Sequence, residues 1–230
     1  MTHVIDMRDV QFGWSNDHPL LGIDRLVVGA GERVFVHGPS GSGKSSLLGL
    51  LAGVTTPQRG TVSVLGTDIA RLTPAARDAF RANHFGIIFQ MFNLLPYLSI
   101  VQNVTLPCRF SAPRRTRAGE RGGMDAEAQR LLSHLDLADV AASHRAVTQL
   151  SVGQQQRVAA ARALIGSPEV VLADEPTSAL DTDRREAFLR LLFAECAERK
   201  SALVFVSHDA GLKHLFDRTI ALADINTAVH

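Results

Sequence analysis

Gly38-Pro39-Ser40-Gly41-Ser42-Gly43-Lys44-Ser45 is the stretch of this 230-residue chain whose residue types and spacing most plainly point to chemistry. It fits G-x-x-x-x-G-K-S, with an apolar strand, Arg33 to His37, before it and a leucine-rich helix after it, the context a phosphate-binding loop requires. The glycines allow a tight turn that aims successive backbone N–H groups at phosphate oxygens. Lys44 reaches the β and γ phosphates of a nucleotide, and the Ser45 hydroxyl can ligate Mg²⁺. Ser46 offers a further hydroxyl to a phosphate. Asp174 and Glu175 end a wholly apolar strand: Asp174 suits holding Mg²⁺ through water, and Glu175 suits orienting or deprotonating a water for in-line attack on the γ phosphate. Acids at a strand end can also merely cap the next helix, a reading that the phosphate loop makes the weaker one.

Two other strand ends carry polar candidates. Gln90 follows Phe85-Gly86-Ile87-Ile88-Phe89, which reads as a buried strand of the parallel type, and ligands collect at the carboxyl ends of such strands. It is either placed to reach the metal or the attacking water, or simply the first loop residue. Of nine histidines, His208 alone directly follows a full apolar strand, Ala202 to Val206, a position that favours a γ-phosphate contact over a purely structural role. Leu150-Ser151-Val152-Gly153-Gln154-Gln155-Gln156-Arg157 reads as a helix start, with Ser151 at the N-cap and Gln154 completing a capping box. Such an N-terminus offers N–H groups and the positive end of a dipole to an anion, and the phosphate loop says which anion the chain handles.

The elements that must position these residues follow from pattern. Val4 to Val28 reads as antiparallel strands around a turn at Ser15 to Pro19, with Trp14 at its edge as a packing residue or a minor ligand platform. A helix over Ser45 to Ala52 closes at Gly53; a strand from Gly60 to Leu65 ends at Gly66; Thr73-Pro74 opens a helix. Met91 to Pro107 crowds Phe92, Leu94, Leu95, Pro96, Tyr97 and Leu98 together ahead of a second capping box, Ser99 to Gln102, and is a docking patch if exposed or core if buried. Pro113 to Gly123 reads as a solvated Pro/Gly/Arg connector with no role attached to its arginines. Ala126 to Leu135 has helical period, with Ala128, Leu131, Leu132 and Leu135 on one face. A helix from Ser151 to Ile165 is stopped by Gly166-Ser167-Pro168. After Asp181 an amphipathic helix carries Phe188, Leu191, Leu192 and Glu195; Phe216 to Leu222 gives a last strand, and Asp224 to His230 is expected to fray.

Composition bounds the classes. The chain is 46% hydrophobic and 20% charged, with 24 basic against 23 acidic residues, so no global field draws it to nucleic acid or an anionic surface. Cys108 and Cys196 lie far apart in no metal-like spacing and read as small core residues of a reduced compartment. Met1-Thr2-His3-Val4-Ile5-Asp6 lacks the pattern of a signal peptide, and Leu47 to Val54 is far short of the roughly 20 apolar residues that cross a bilayer.

Gly38 to Ser45, Gln90, Leu150 to Gln154, Asp174-Glu175, Ser178-Ala179-Leu180-Asp181 and His208 occur in the order seen in ATP-binding cassette (ABC) ATPases, which the chain resembles over nearly its whole length. The resemblance implies an α/β fold: a P-loop NTPase (RecA-like) core with an N-terminal antiparallel β lobe and an inserted α-helical lobe, in a single domain with 1–92 and 163–230 as core and 93–162 as helical lobe. It implies ATP and Mg²⁺ as cofactors. Trp14 would stack on adenine; Gly38, Pro39, Ser40, Gly41, Ser42, Gly43, Lys44 and Ser46 would hold phosphates; Ser45 and Gln90 would ligate Mg²⁺, with Asp174 in the shell behind them. Glu175 would be the catalytic base and His208 the switch histidine, with Lys44 counted in the catalytic set. It further implies a head-to-tail pair in which Ser151, Gly153 and Gln154 of one copy face ATP held by the other, with Asp181 near the interface.

Two positions depart from the family pattern: Val152 stands where Gly is usual, and Trp14 where Tyr is more frequent. Indole stacks at least as well as phenol, and a first helical position needs no positive φ, so an active ATP hydrolase is expected. Asn93 to Val104, with Leu106-Pro107, looks like the subgroup serving lipoprotein release, macrolide efflux and glycolipid export, whose partner is an integral membrane permease. That places the chain in the cytoplasm, peripheral on the inner face of the membrane, with no nucleic-acid partner. An ABC-type ATPase acting on DNA or ribosomes is the alternative; against it stand a single cassette, no long coiled-coil insertion and a near-neutral charge. A nucleotide-binding regulator that does not turn over is disfavoured by Glu175 and His208.

Overall fold

The computed structural model describes residues 3–15, 18–120, 122–141, 145–178 and 182–228. In chain order the strands are β1 (His3–Phe12), β2 (Leu21–Gly29), β3 (Arg33–His37), β4 (Arg59–Val64), β5 (Thr67–Asp68), β6 (Phe85–Ile88), β7 (Val170–Asp174), β8 (Ala202–Ser207) and β9 (Arg218–Ala221). The helices are α1 (Lys44–Leu51), α2 (Pro74–His84), α3 (Ile100–Thr105), α4 (Pro107–Phe110), α5 (Ala112–Gly119), α6 (Met124–His134), α7 (Ala138–Ala141), α8 (Val152–Leu164), α9 (Thr182–Arg199) and α10 (Leu222–Ile225). Among the described residues no helix is long and apolar enough to cross a membrane. The chain forms two compact units, Met1–Arg81 with Ala202–His230, and Ala82–Ser201.

In the first unit an antiparallel sheet runs β2-β1-β4-β5. Alternation along β1 buries Ile5 and Met7, then slips so that Val10 and Phe12 are the buried pair. The slip is a bulge: Asp9 sits at φ 50 and the β1–β4 register shifts between Arg8 and Gln11, which lets two successive pairs face the core. Gly60 fits beside the bulge because a Cβ there would lie 2.4 Å from the Asp9 carbonyl. The same unit carries parallel strands, β3 flanked by β8 and β9. Val34, Phe35 and Val36 and all of Ala202 to Val206 are buried, as strands covered on both faces must be, and each large side chain so placed contributes about 1.5–3 kcal/mol. Both antiparallel and parallel sheets expected from the sequence are therefore present.

The expectation that Asp224 to His230 frays is corrected over the described residues. Leu222 to Ile225 is helical, and Asn226 is 6% exposed. Its Oδ1 accepts from the Gly22 amide at 2.8 Å and its Nδ2 donates to the Leu20 carbonyl at 3.0 Å, which ties the tail to β2 more than 200 residues away in sequence.

In the second unit β6 and β7 pair in parallel, Phe85 opposite Val170 and Ile88 opposite Ala173. The expected strand to Phe89 ends one residue earlier, leaving Phe89 42% exposed. Helix α8 packs on β6, α3, α6 and α9. Its last turn comes so close to β6 that a Cβ on Gly86 would lie 2.3 Å from the Ala163 carbonyl. Because β6 and β7 pair with each other and α8 lies on β6, the unit boundaries fall after Arg81 and Ser201. The predicted apolar face of α6 is buried at Ala128, Leu131 and Leu132, as is Leu135, and both cysteines are buried.

The reading of Pro113 to Gly123 as a solvated connector is overturned. Ser111 caps α5 through its Oγ, and Arg114, 2% exposed, lies inside the unit. Arg114 Nε donates to the Ile165 carbonyl at 2.8 Å, and its terminal nitrogens donate to Phe85 at 2.8 Å, Ala163 at 2.7 Å and Ile165 at 2.6 Å. The carbonyls that end α8 point into protein rather than water, and one planar guanidinium has enough donors to satisfy them. Arg117 continues the clamp, donating to the Gly166 carbonyl at 2.7 Å and to Glu169 Oε1 at 3.0 Å.

Candidate functional site

The phosphate loop joins β3 to α1. Gly41 and Gly43 have φ of 80° and 99°, and a Cβ on Gly43 would meet Leu21 Cδ2 at 2.9 Å, so conformation and space both demand glycine there. Gly43 is also the N-cap of α1 with no side-chain cap, which leaves the first amides of that helix to a ligand. Lys44 is 5% exposed, and its Nζ donates to the Gly38 and Pro39 carbonyls at 2.9 Å each. The ammonium is thus curled into the loop. Ser42 Oγ is buried without a hydrogen-bond partner, a donor positioned for an acceptor the protein does not itself supply. A cavity of about 340 Å³ lies alongside, lined by Leu20, Pro39, Ser40, Gly41, Ser42 and the α10 segment. Turn geometry, orphan hydroxyl, buried ammonium and adjoining cavity fit a polyphosphate. Ser45 is exposed and Ser46 half-buried.

His208 belongs to the same unit. The parallel register sets His37 opposite Ser207, so the loop and His208 leave neighbouring strands at the same edge. The Ser207 hydroxyl accepts from the Asp209 amide at 3.1 Å, fixing the turn that exposes His208. Trp14 is 75% exposed, in a T-shaped contact with Phe12 at 5.2 Å between centroids.

The second unit gathers the acids and Gln90. Since Ile88 pairs with Ala173, Gln90, Asp174 and Glu175 emerge at one end of β6 and β7. Asp174 ends β7, and Glu175 follows in a left-handed turn, φ 44, whose carbonyl accepts from the Ser178 amide at 3.2 Å. A bulky residue held there aims its side chain at the cost of backbone strain. Gln90 and Asp174 offer oxygen donors, the kind Mg²⁺ takes. Helix α8 begins as read: Ser151 Oγ accepts from the Gln154 amide at 3.3 Å and Gln154 Oε1 from the Ser151 amide at 2.9 Å. Val152 is the first helical residue and 48% exposed. Asp181 lies outside the described residues.

The apolar cluster after Gln90 divides. Phe92 is buried, whereas Met91 and Tyr97 are 80% and 78% exposed. Sequence reasoning missed what shapes this segment: Asn103, fully buried, accepts from the Leu95 amide at 2.8 Å and donates to the carbonyls of Leu95, Leu98 and Ser99 at 3.0–3.2 Å. An amide inside an apolar helix face was its one signal. Among the described residues, His134, Glu195 and Glu198 also come together as metal-ligand types. Arg130 already fills the cation position, donating to both Glu195 oxygens at 3.0–3.1 Å and contacting His134 Nδ1 at 3.0 Å.

Residues 23–178 match the family described as ABC transporter. The chain belongs to that family. Among curated ABC relatives, it is 39% identical over 205 residues to the lipoprotein-releasing system ATP-binding protein LolD of Bacteroides thetaiotaomicron, covering 89% of this chain and 90% of that one. It is 38% identical to the macrolide export ATP-binding/permease protein MacB of Shigella flexneri over 97% of this chain, which spans 34% of that longer protein. Among solved structures it resembles a dimeric bacterial ABC transporter cassette, with TM-score 0.81, 34% identity, and 94% and 93% of the two chains covered. The same cassette in a dimeric post-hydrolysis state bound to ADP and Pi gives TM-score 0.82 at 33% identity, with the same coverage. This ABC chain is an ATP-binding subunit and an ATP hydrolase by family.

Proposed function

We propose that this ATPase works as a head-to-tail dimer around two ATP and drives an integral membrane permease of the lipoprotein-release or macrolide-export type. The observation that carries the reading is the phosphate loop, with its ammonium buried against its own carbonyls and the Ser42 hydroxyl left for an outside acceptor. Lys44 exchanges the Gly38 and Pro39 carbonyls for phosphate oxygens, and the α1 amides hold the remaining oxygens by dipole and hydrogen bond. Trp14 stacks on the adenine. Ser45 and Gln90 would hold Mg²⁺, with Asp174 in the shell behind them, and the bound ion would neutralise charge on the phosphates. Glu175 orients the attacking water and takes its proton, while His208 contacts the γ phosphate. Ser151, Gly153 and Gln154 of a second copy complete the site with Asp181 near that interface; the dimeric state of the solved relatives supports this arrangement.

Exposed Phe89, Met91 and Tyr97 supply an apolar surface for a cytoplasmic segment of the permease, which would hold the subunit at the inner face of the membrane. The charge balance, 24 basic against 23 acidic residues, supports a protein partner over nucleic acid. Purification of Glu175→Gln from solubilised membranes in the presence of ATP tests the reading. A polytopic membrane protein is the expected companion, and recovery of ribosomes or DNA in its place would overturn it.

A further inference from the structure

Helix α8 carries a buried guanidinium of its own, whose work lies away from the helix start. Arg162 is 8% exposed, and burial pushes its pKa down. One terminal nitrogen donates to the Asn93 carbonyl at 2.6 Å and the other to the Phe92 carbonyl. Phe92 and Asn93 are the two consecutive residues of this segment held in the left-handed region, at φ 59 and 51. Neither is glycine, so each holds that conformation against a steric preference for the ordinary regions. Their own turn bonds are short-range, Phe92 amide to Phe89 carbonyl at 3.0 Å and Asn93 amide to Met91 carbonyl at 2.6 Å. The contact that spans the sequence is Arg162, 69 and 70 residues further on. Arg114 fixes the turn in which Arg162 sits, through the Ala163 and Ile165 carbonyls, and ties it to the start of β6 through Phe85.

We infer that Arg162 is a positioning residue: it locks the turn after Gln90 to the helix that opens at Ser151, so that the Gln90 side chain and the helix N-terminus move as one body. This rests on the metal-binding role proposed for Gln90. Without the guanidinium, Phe92 and Asn93 relax out of the left-handed region, and Gln90, two residues upstream, loses its fixed direction. The lock also explains why a buried cation is retained among backbone carbonyls, since two adjacent C=O groups turned the same way need one forked donor.

The test compares the whole chain as wild type, Arg162→Met, Arg162→Lys, Asn93→Val and Asn93→Gly. Hydrogen exchange is followed across 91–98 with the β7 amides as internal reference, alongside the Mg²⁺ concentration that half-saturates ATP turnover. Asn93 is exposed, so its variants leave the core and Arg162 intact should Arg162→Met fail to fold. A β-branched residue resists the left-handed region and glycine does not. Arg162→Met and Asn93→Val should each speed exchange in 91–98 and raise half-saturating Mg²⁺ by roughly tenfold. Asn93→Gly should keep the wild-type Mg²⁺ dependence, and Arg162→Lys, with one compact donor group, should fall between. Wild-type exchange in folded Arg162→Met, or a wild-type Mg²⁺ requirement in Asn93→Val, would overturn the inference. Exchange is read without nucleotide, so loss of the lock is seen separately from failure of the Gln90 assignment: unchanged exchange rejects the lock itself, whereas faster exchange with an unchanged Mg²⁺ requirement rejects the metal role of Gln90 on which the inference rests.

Discussion

Replacing Arg114 by Met removes the clamp on α8 while keeping the length of the side chain. Three carbonyls, those of Phe85, Ala163 and Ile165, lose donors now within 2.6–2.8 Å. Hydrogen bonds from a charged donor contribute about 1.5–3 kcal/mol each, so roughly 6 kcal/mol is lost. Against this stands the cation itself: burial pushes the Arg114 pKa down to about 10, which sets the cost of keeping it inside at about 3 kcal/mol, relieved by methionine. The net loss should be about 3 kcal/mol, or a melting midpoint lower by roughly 10 °C for a chain of this size. Urea and thermal denaturation of Arg114→Met beside Arg115→Met, whose side chain is exposed, would measure it. A loss under about 1 kcal/mol would refute the reasoning, because it would mean that the stranded carbonyls find other partners.

Asn226→Ala should cost about 2 kcal/mol by freeing the Gly22 amide and Leu20 carbonyl and should make the 222–228 segment sensitive to protease at temperatures where the wild type resists. Val152→Gly should leave single-turnover ATP cleavage within about twofold of wild type, since the position is the first of a helix; cleavage that appears only in Val152→Gly would contradict this. Burial pushes the Glu169 pKa up, but the His84 hydrogen bond, the residue's own amide and Arg117 outweigh it and hold the carboxyl below its usual range. A depressed folded pKa gives stability that is complete above the ordinary glutamate pKa and lost as the pH falls through the depressed value. Glu169→Gln should therefore be less stable than wild type near neutral pH, and the gap should close in strong acid.

The parts of this molecule written in local pattern could be read from the chain. The phosphate loop needs only its glycines and Lys44 between a strand and a helix; Ser151 and Gln154 specify their own cap; the apolar strands ending at Asp174 and Ser207 each announce a polar end in their own unit. What escaped reading is non-local. Arg114 and Arg162 look like solvent-facing cations until tertiary packing strands the carbonyls of Ile165 or Phe92 beside them. Asn226 looks like tail until β2 offers an amide and a carbonyl at the right spacing. Phe89 continues an apolar run, yet pairing with β7 stops at Ile88 and turns it outward. The bulge at Asp9 leaves no composition signal, because a polar residue in a strand reads as ordinary alternation.

Glu175→Gln gives the most direct test of the central claim, that this chain binds ATP through its loop and cleaves it through Glu175 in a dimer. Light scattering coupled to size-exclusion chromatography, run with Mg²⁺ and ATP, would follow the mass while phosphate release is assayed on the same sample. A species of twice the 24.9 kDa chain that appears only with ATP, with phosphate release suppressed relative to wild type, is the predicted result. Wild-type phosphate release by Glu175→Gln, or a variant that binds ATP yet stays monomeric, would contradict it.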